Sequence, residues 1–207
     1  MEKSLFHDLY KRSCELEIRD CPSQTLSDFL HGYLSVYSIV RVYPWLESDF
    51  GDAYGIHERI REIARIIEPL ANNKELVKDV RAGFIVDLMD AYQLYSDMNF
   101  LNTALDAAYD VLTPWGANRI VLPCRTPNIC RLLCYCYYFT GEKENSLLAS
   151  SLINEALGFT RKAGRDDLMP WWWWDAFCFY EDVVGKVELS TNGQERLVEE
   201  RVRLAVS

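Results

Sequence analysis

A chain of 207 residues, 49% hydrophobic and 26% charged, is long enough to bury a core and too apolar for extended disorder. Its 31 acids against 22 Lys and Arg leave a net charge of −9, a field that repels nucleic acid and anionic membranes and favours a basic protein partner. No apolar run reaches the ~20 residues of a membrane helix, and the opening MEKSLFHDLYKRSCELEIRD lacks a signal-peptide core, so the expected setting is cytoplasmic.

Helical periodicity runs through the whole chain. SLFHDLYKRSCELEI carries Leu5, Leu9, Tyr10, Leu16 and Ile18 at approximately helical spacing. The next helix opens at Pro22 and runs to Tyr43, where Pro44 stops it. HERIREIARIIEPL places Ile60, Ile63, Ile67 and Leu70 on one stripe, with charges opposite. NKELVKDVRAGFIVDLMDAYQLYSD reads as one long helix, and NFLNTALDAAYDVL as a helix rich in small residues. WGANRIVLPCRTP is an irregular connection in which NRIVLPC is the one candidate strand. NICRLLCYCYYFTG, KENSLLASSLINEALGFTRKAG, MPWWWWDAFCFYEDVVG and GQERLVEERVRLAV complete about nine helices. The expected fold is a single all-α domain over residues 1–207, built of stacked antiparallel hairpins.

Two segments share one plan. In each, an aromatic-rich helix ends at Tyr95-Ser96-Asp97 or Phe139-Thr140-Gly141, a polar turn follows, and a second helix carries Ala104 or Ala149 and ends at Leu112 or Leu157. Small residues let paired helices approach closely, and hairpins of this kind bury their second face by stacking. Over residues 80–160 the plan resembles tetratricopeptide-type repeats, with Tyr95, Ala104 and Ala108 at that motif's spacing, although its Trp-Leu-Gly start is missing. The resemblance implies a hairpin stack with a binding role. Tyr95 and Tyr138, on the two aromatic helices, are candidate binding residues.

The densest signal is MPWWWWDAF, where four of the six tryptophans stand together as Trp171, Trp172, Trp173 and Trp174, followed by Asp175. Four consecutive positions sweep ~300° of a helix, so the indoles cannot share one face. They are expected to divide between the core and a groove or partner surface. Asp175 has two readings: a first-turn acid favoured by the helix dipole, as Asp166 and Asp167 also are, or a general acid raised by aromatic walls. WWWWDAF is similar to a Trp-rich, Asp-Ala-containing helix start in the unsaturated glucuronyl and rhamnogalacturonyl hydrolases, an α/α-toroid family. That resemblance implies a catalytic role at Asp175, whereas the toroid's six hairpins exceed the four or so available here.

Other chemistry-bearing residues are sparse. Asp87 and Asp90, three apart, present paired carboxylates suited to a cation, with an exposed helix face as the expected setting. His7, His31 and His57 are scattered, and no HExxH, phosphate loop or nucleophile elbow is present. The seven cysteines, Cys14, Cys21, Cys124, Cys130, Cys134, Cys136 and Cys178, are odd in number and read as free thiols. No metal site or cofactor is expected from them, because CRTPNICRLLCYC lacks zinc-knuckle spacing. The leading functional expectation is a non-catalytic interaction module, in its sharper form an acidic immunity-type protein that neutralises a basic partner. The alternatives are a toroid-like carbohydrate-active hydrolase using Asp175 and a small-ligand-binding helical domain.

Overall fold

The computed structural model describes residues 5–113, 120–162 and 171–184. Among these residues the chain is all-α, with nine α-helices and no strand. They divide into two compact units, one ending at Val111 and one beginning at Leu112.

In the first unit, α1 (Leu5–Cys14) leads through a 3-10 turn at Ile18–Asp20 into α2 (Ser23–Val42). Pro44 cannot continue α2 and holds Tyr43 at φ −125°, ψ 75°. A 3-10 turn at Pro44–Leu46 and the single-turn α3 (Glu47–Phe50) follow, then α4 (Ala53–Ala71). Gly51 ends α3 at φ 91°, a conformation open to glycine, and Asp52 caps α4 by accepting a 2.8 Å hydrogen bond from the Gly55 N–H. The α4 stripe Ile56, Ile60, Ile63 and Ile67 is buried, and each side chain contributes ~1.5–3 kcal/mol by leaving water. It packs α4 against α2 and α5 (Lys78–Tyr95). The hairpin partner of α5 is α6 (Met98–Leu112). Arg81, at the start of α5, bonds Asp110, near the end of α6, and Tyr95 meets Phe100 at the turn, so the two run antiparallel.

In the second unit, α7 (Pro127–Thr140) is capped by Thr126, with Pro127 in the first turn. It lies between α8 (Lys143–Lys162) and α9 (Trp174–Val183). The Tyr135 ring sits 4.4 Å from that of Phe179, and the Ser150 hydroxyl lies 2.7 Å from that of Tyr180. The α5–α6 hairpin, up to Val111, therefore belongs to one unit and the α7–α8 hairpin to the other.

Several boundaries differ from the sequence expectation. The long helix expected from Asn73 begins only at Lys78, because the Asn73 side chain accepts the Glu75 N–H and Leu76 closes a turn onto the Asn73 carbonyl. The described part of NRIVLPC, Ile120 to Cys124, forms no strand. The unforeseen α3 brings the described helices to nine, while the helix expected in GQERLVEERVRLAV lies outside the described residues, as do Asp166 and Asp167.

Candidate functional site

The tryptophans straddle two kinds of helix. Trp171 to Trp173 form a 3-10 turn, in which successive residues are ~120° apart, and Trp174 opens α9. Trp173 is 8% exposed and Trp172 57% exposed, while Trp174 is intermediate and lies near Phe177. The side chain of Trp171 lies outside the described residues. Asp175 is exposed in the first turn of α9, where the helix dipole favours a carboxylate. Tyr138 is exposed beside Phe139. Tyr95 belongs to the first unit: its hydroxyl donates to the His57 carbonyl, its ring lies 4.5 Å from His57, and the Arg61 guanidinium sits 4.9 Å over it. Burial raises the Tyr95 phenol well above its ordinary range, so it remains a neutral donor.

All seven cysteines are free thiols, and Cys130, Cys134 and Cys136 are buried. A hydrogen bond with Cys130, followed by burial, raises the Cys134 thiol; burial pushes Cys136 up to about 12. All three are therefore core residues, and Cys134 and Cys136 stay protonated.

Two features of the first unit were hidden in the sequence. One is the corner between α2 and α4. Tyr43, Trp45 and Tyr54 stand exposed there, Trp45 at 70% and Tyr54 at 74%. The Tyr43 and Trp45 rings are 5.2 Å apart, and the Glu47 carboxylate accepts from the backbone N–H of Ala53, beside Tyr54. From Val42 to Glu58 the chain carries Glu47, Asp49, Asp52 and Glu58 and no Lys or Arg. The corner is thus aromatic and acidic at once. The available signal was an aromatic pair in a turn-rich, cation-free segment with no helical stripe to join.

The other feature joins α2 to α5. Asp87 is 1% exposed, which overturns the expected exposed setting for the Asp87 and Asp90 pair. The helix around it, GFIVDLMDA, is apolar on nearly every side, so its carboxylate faces the packed interior. His31, expected to stand apart, places Nε2 3.0 Å from Asp87 Oδ1 and 3.6 Å from Asp90 Oδ2. Ser27, one turn before His31, donates to the other Asp87 oxygen. The donor atoms of His31, Asp87 and Asp90 lie within 4.8 Å of one another, the one such trio among the described residues. The available signal was a carboxylate pair inside an otherwise apolar run, which requires partners where it is buried. Nothing in the spacing identified those partners on α2.

A cavity of about 260 Å³ is lined by Tyr10, Cys14, Tyr33 and Arg59. It falls below the ~300–1,000 Å³ usual for small-molecule sites. The Tyr10 hydroxyl is also already committed to the Phe50 carbonyl, so the cavity does not carry a ligand-binding reading. No protein-family model, curated protein or solved structure matches the chain.

Proposed function

We propose that the chain is a non-catalytic helical interaction module that docks a basic protein partner, in its sharper form an acidic immunity-type protein. The observation that carries this reading is the corner: exposed Trp45 and Tyr54 set among Glu47, Asp49 and Asp52, with no cation from Val42 to Glu58. Exposed aromatics of this kind supply the desolvated anchors of an interface, and the acids around them steer a positive surface into register. The net charge of −9 extends the attraction over the approach. The shared hairpin plan of α5–α6 and α7–α8 supports a scaffold that presents surfaces, as the tetratricopeptide resemblance implies. Asp175 is exposed in the first turn of α9, a position the helix dipole favours for a carboxylate.

The test is parallel affinity capture from the native cell with the wild-type chain and a Trp45→Ala/Tyr54→Ala variant, followed by titration calorimetry on the retained protein. The expected partner is basic, its affinity falls with salt, and the double variant binds at least ~30-fold more weakly, the equivalent of one hot spot of ~2 kcal/mol. Both positions are exposed, so the variant keeps its fold. An acidic partner, or equal affinity for both chains, refutes the reading.

A further inference from the structure

We infer that His31, Asp87 and Asp90 form a binding site for one divalent transition-metal cation, of the manganese or zinc kind. The site rests on geometry first. Metal–ligand bonds of ~2.0–2.2 Å place adjacent donors of one ion ~3.0–3.5 Å apart. His31 Nε2 stands at 3.0 Å from Asp87 Oδ1 and 3.6 Å from Asp90 Oδ2, and all three donors lie within 4.8 Å of one another. Two packed helices fix the set: Asp87 and Asp90 share one face of α5, a turn apart, and His31 faces them from α2.

The second ground is charge. The Asp87 carboxylate is 1% exposed, and among the described residues its one ion-pair partner is His31. That imidazole is also shared with Asp90. A divalent ion held by the imidazole and both carboxylates adds to the compensation that a buried carboxylate such as Asp87 needs. The third ground is support and access. Ser27 holds the Asp87 oxygen that does not face His31, fixing the carboxylate's rotation as outer-sphere partners of metal ligands do. The His31 side chain is 35% exposed, which leaves a mouth through which an ion enters and water completes its coordination. One imidazole with two carboxylates suits manganese, iron or zinc better than magnesium or calcium, which favour oxygen alone.

Manganese(II) is the probe of choice, because its weak affinity for thiols keeps the seven cysteines silent. The full chain is stripped with chelator and titrated with Mn²⁺, free ion being read by electron paramagnetic resonance and melting temperature followed in parallel. The expected result is one tight equivalent per chain and a melting temperature that rises with Mn²⁺. His31→Gln and Asp90→Asn, both on the open side of the site, each weaken binding at least ~10-fold and abolish the thermal shift. Glu144→Gln, in the second unit, changes neither. Binding weaker than ~1 mM, or equal binding by wild type and His31→Gln, overturns the inference and leaves the trio as a hydrogen-bonded cluster joining α2 to α5.

Discussion

Replacing Arg81 with Met removes a clamp that joins three helices while keeping most of its buried volume. The Arg81 guanidinium is 3% exposed; its Nε donates to the Ala71 carbonyl at the end of α4 (3.1 Å), and its Nη1 to Asp110 on α6 (2.9 Å). A hydrogen bond from a charged group contributes ~1.5–3 kcal/mol, and the Ala71 contact is the buried one of the two. Asp110 is 36% exposed and retains Lys74 at 2.7 Å, so its share is screened to ~0.5–1 kcal/mol. Part of the sum returns because Met needs no desolvation of a charge. The expected net loss is ~2–3 kcal/mol, read as a lower urea midpoint by circular dichroism. The pH dependence has a definite sign. Hydrogen bonds from Lys74 and Arg81 hold the Asp110 carboxyl below its ordinary value of 3.8. Its contribution is therefore complete above that value and is lost as the pH falls through the lower folded one. The gap between wild type and variant should narrow as the pH falls below about 4, leaving the Ala71 bond. A loss under ~0.5 kcal/mol at neutral pH, or a gap that widens in acid, would refute this account of the clamp.

Trp173→Ala should destabilise by ~3–5 kcal/mol, whereas Trp172→Ala should change stability by less than ~1 kcal/mol; equal losses in urea unfolding would contradict their exposures of 8% and 57%. Asp52→Ala removes the cap on the Gly55 N–H and should lower stability by ~1 kcal/mol, with Asp52→Asn restoring most of it. Alkylation of the native chain should spare Cys130, Cys134 and Cys136, whereas all seven thiols should react once the protein is unfolded without reductant. A missing alkyl group recovered only after reduction would show a disulfide.

What the sequence revealed depended on whether the relevant information was local. The stripe Ile60, Ile63, Ile67 lies within two turns of one helix, so its period announced α4 directly. The four residues of α3 are too few to show a period, and the helix-forming Lys74 and Glu75 hid the turn made by Asn73. The tryptophan tetrad announced itself by composition, but a 3-10 turn rather than an α-helix directs its first three members. Asp87 and His31 are 56 residues apart. No periodicity links positions on separate helices, so only the packing of α2 on α5 brings them together. Trp45 and Tyr54 were obscure for the opposite reason. Their exposure follows from a corner set by Pro44 and Gly51, and hydrophobic patterning assumes that an aromatic side chain is inside.

The matched turns of the two hairpins bear on how the chain acquires its structure. Ser96 ends α5 at φ 54°, its N–H bonded to the Tyr92 carbonyl at 2.7 Å; Gly141 ends α7 at φ 72°, bonded likewise to Tyr137 at 2.8 Å. The next residues are secured just as locally, Asn99 N–H by the Asp97 side chain and Glu142 N–H by Thr140. Each reversal is thus complete within a few residues, and loops this short close within ~100 ns with little loss of chain entropy. Two independent nuclei follow, one available on the ribosome before the other has been synthesised. They are not equivalent, because a left-handed serine stores ~1 kcal/mol of strain that glycine avoids. The Gly141 hairpin should gain amide protection first when the whole chain refolds in a pulsed hydrogen-exchange experiment, and earlier protection at Ser96 would show that distant packing, not the turn, sets the order.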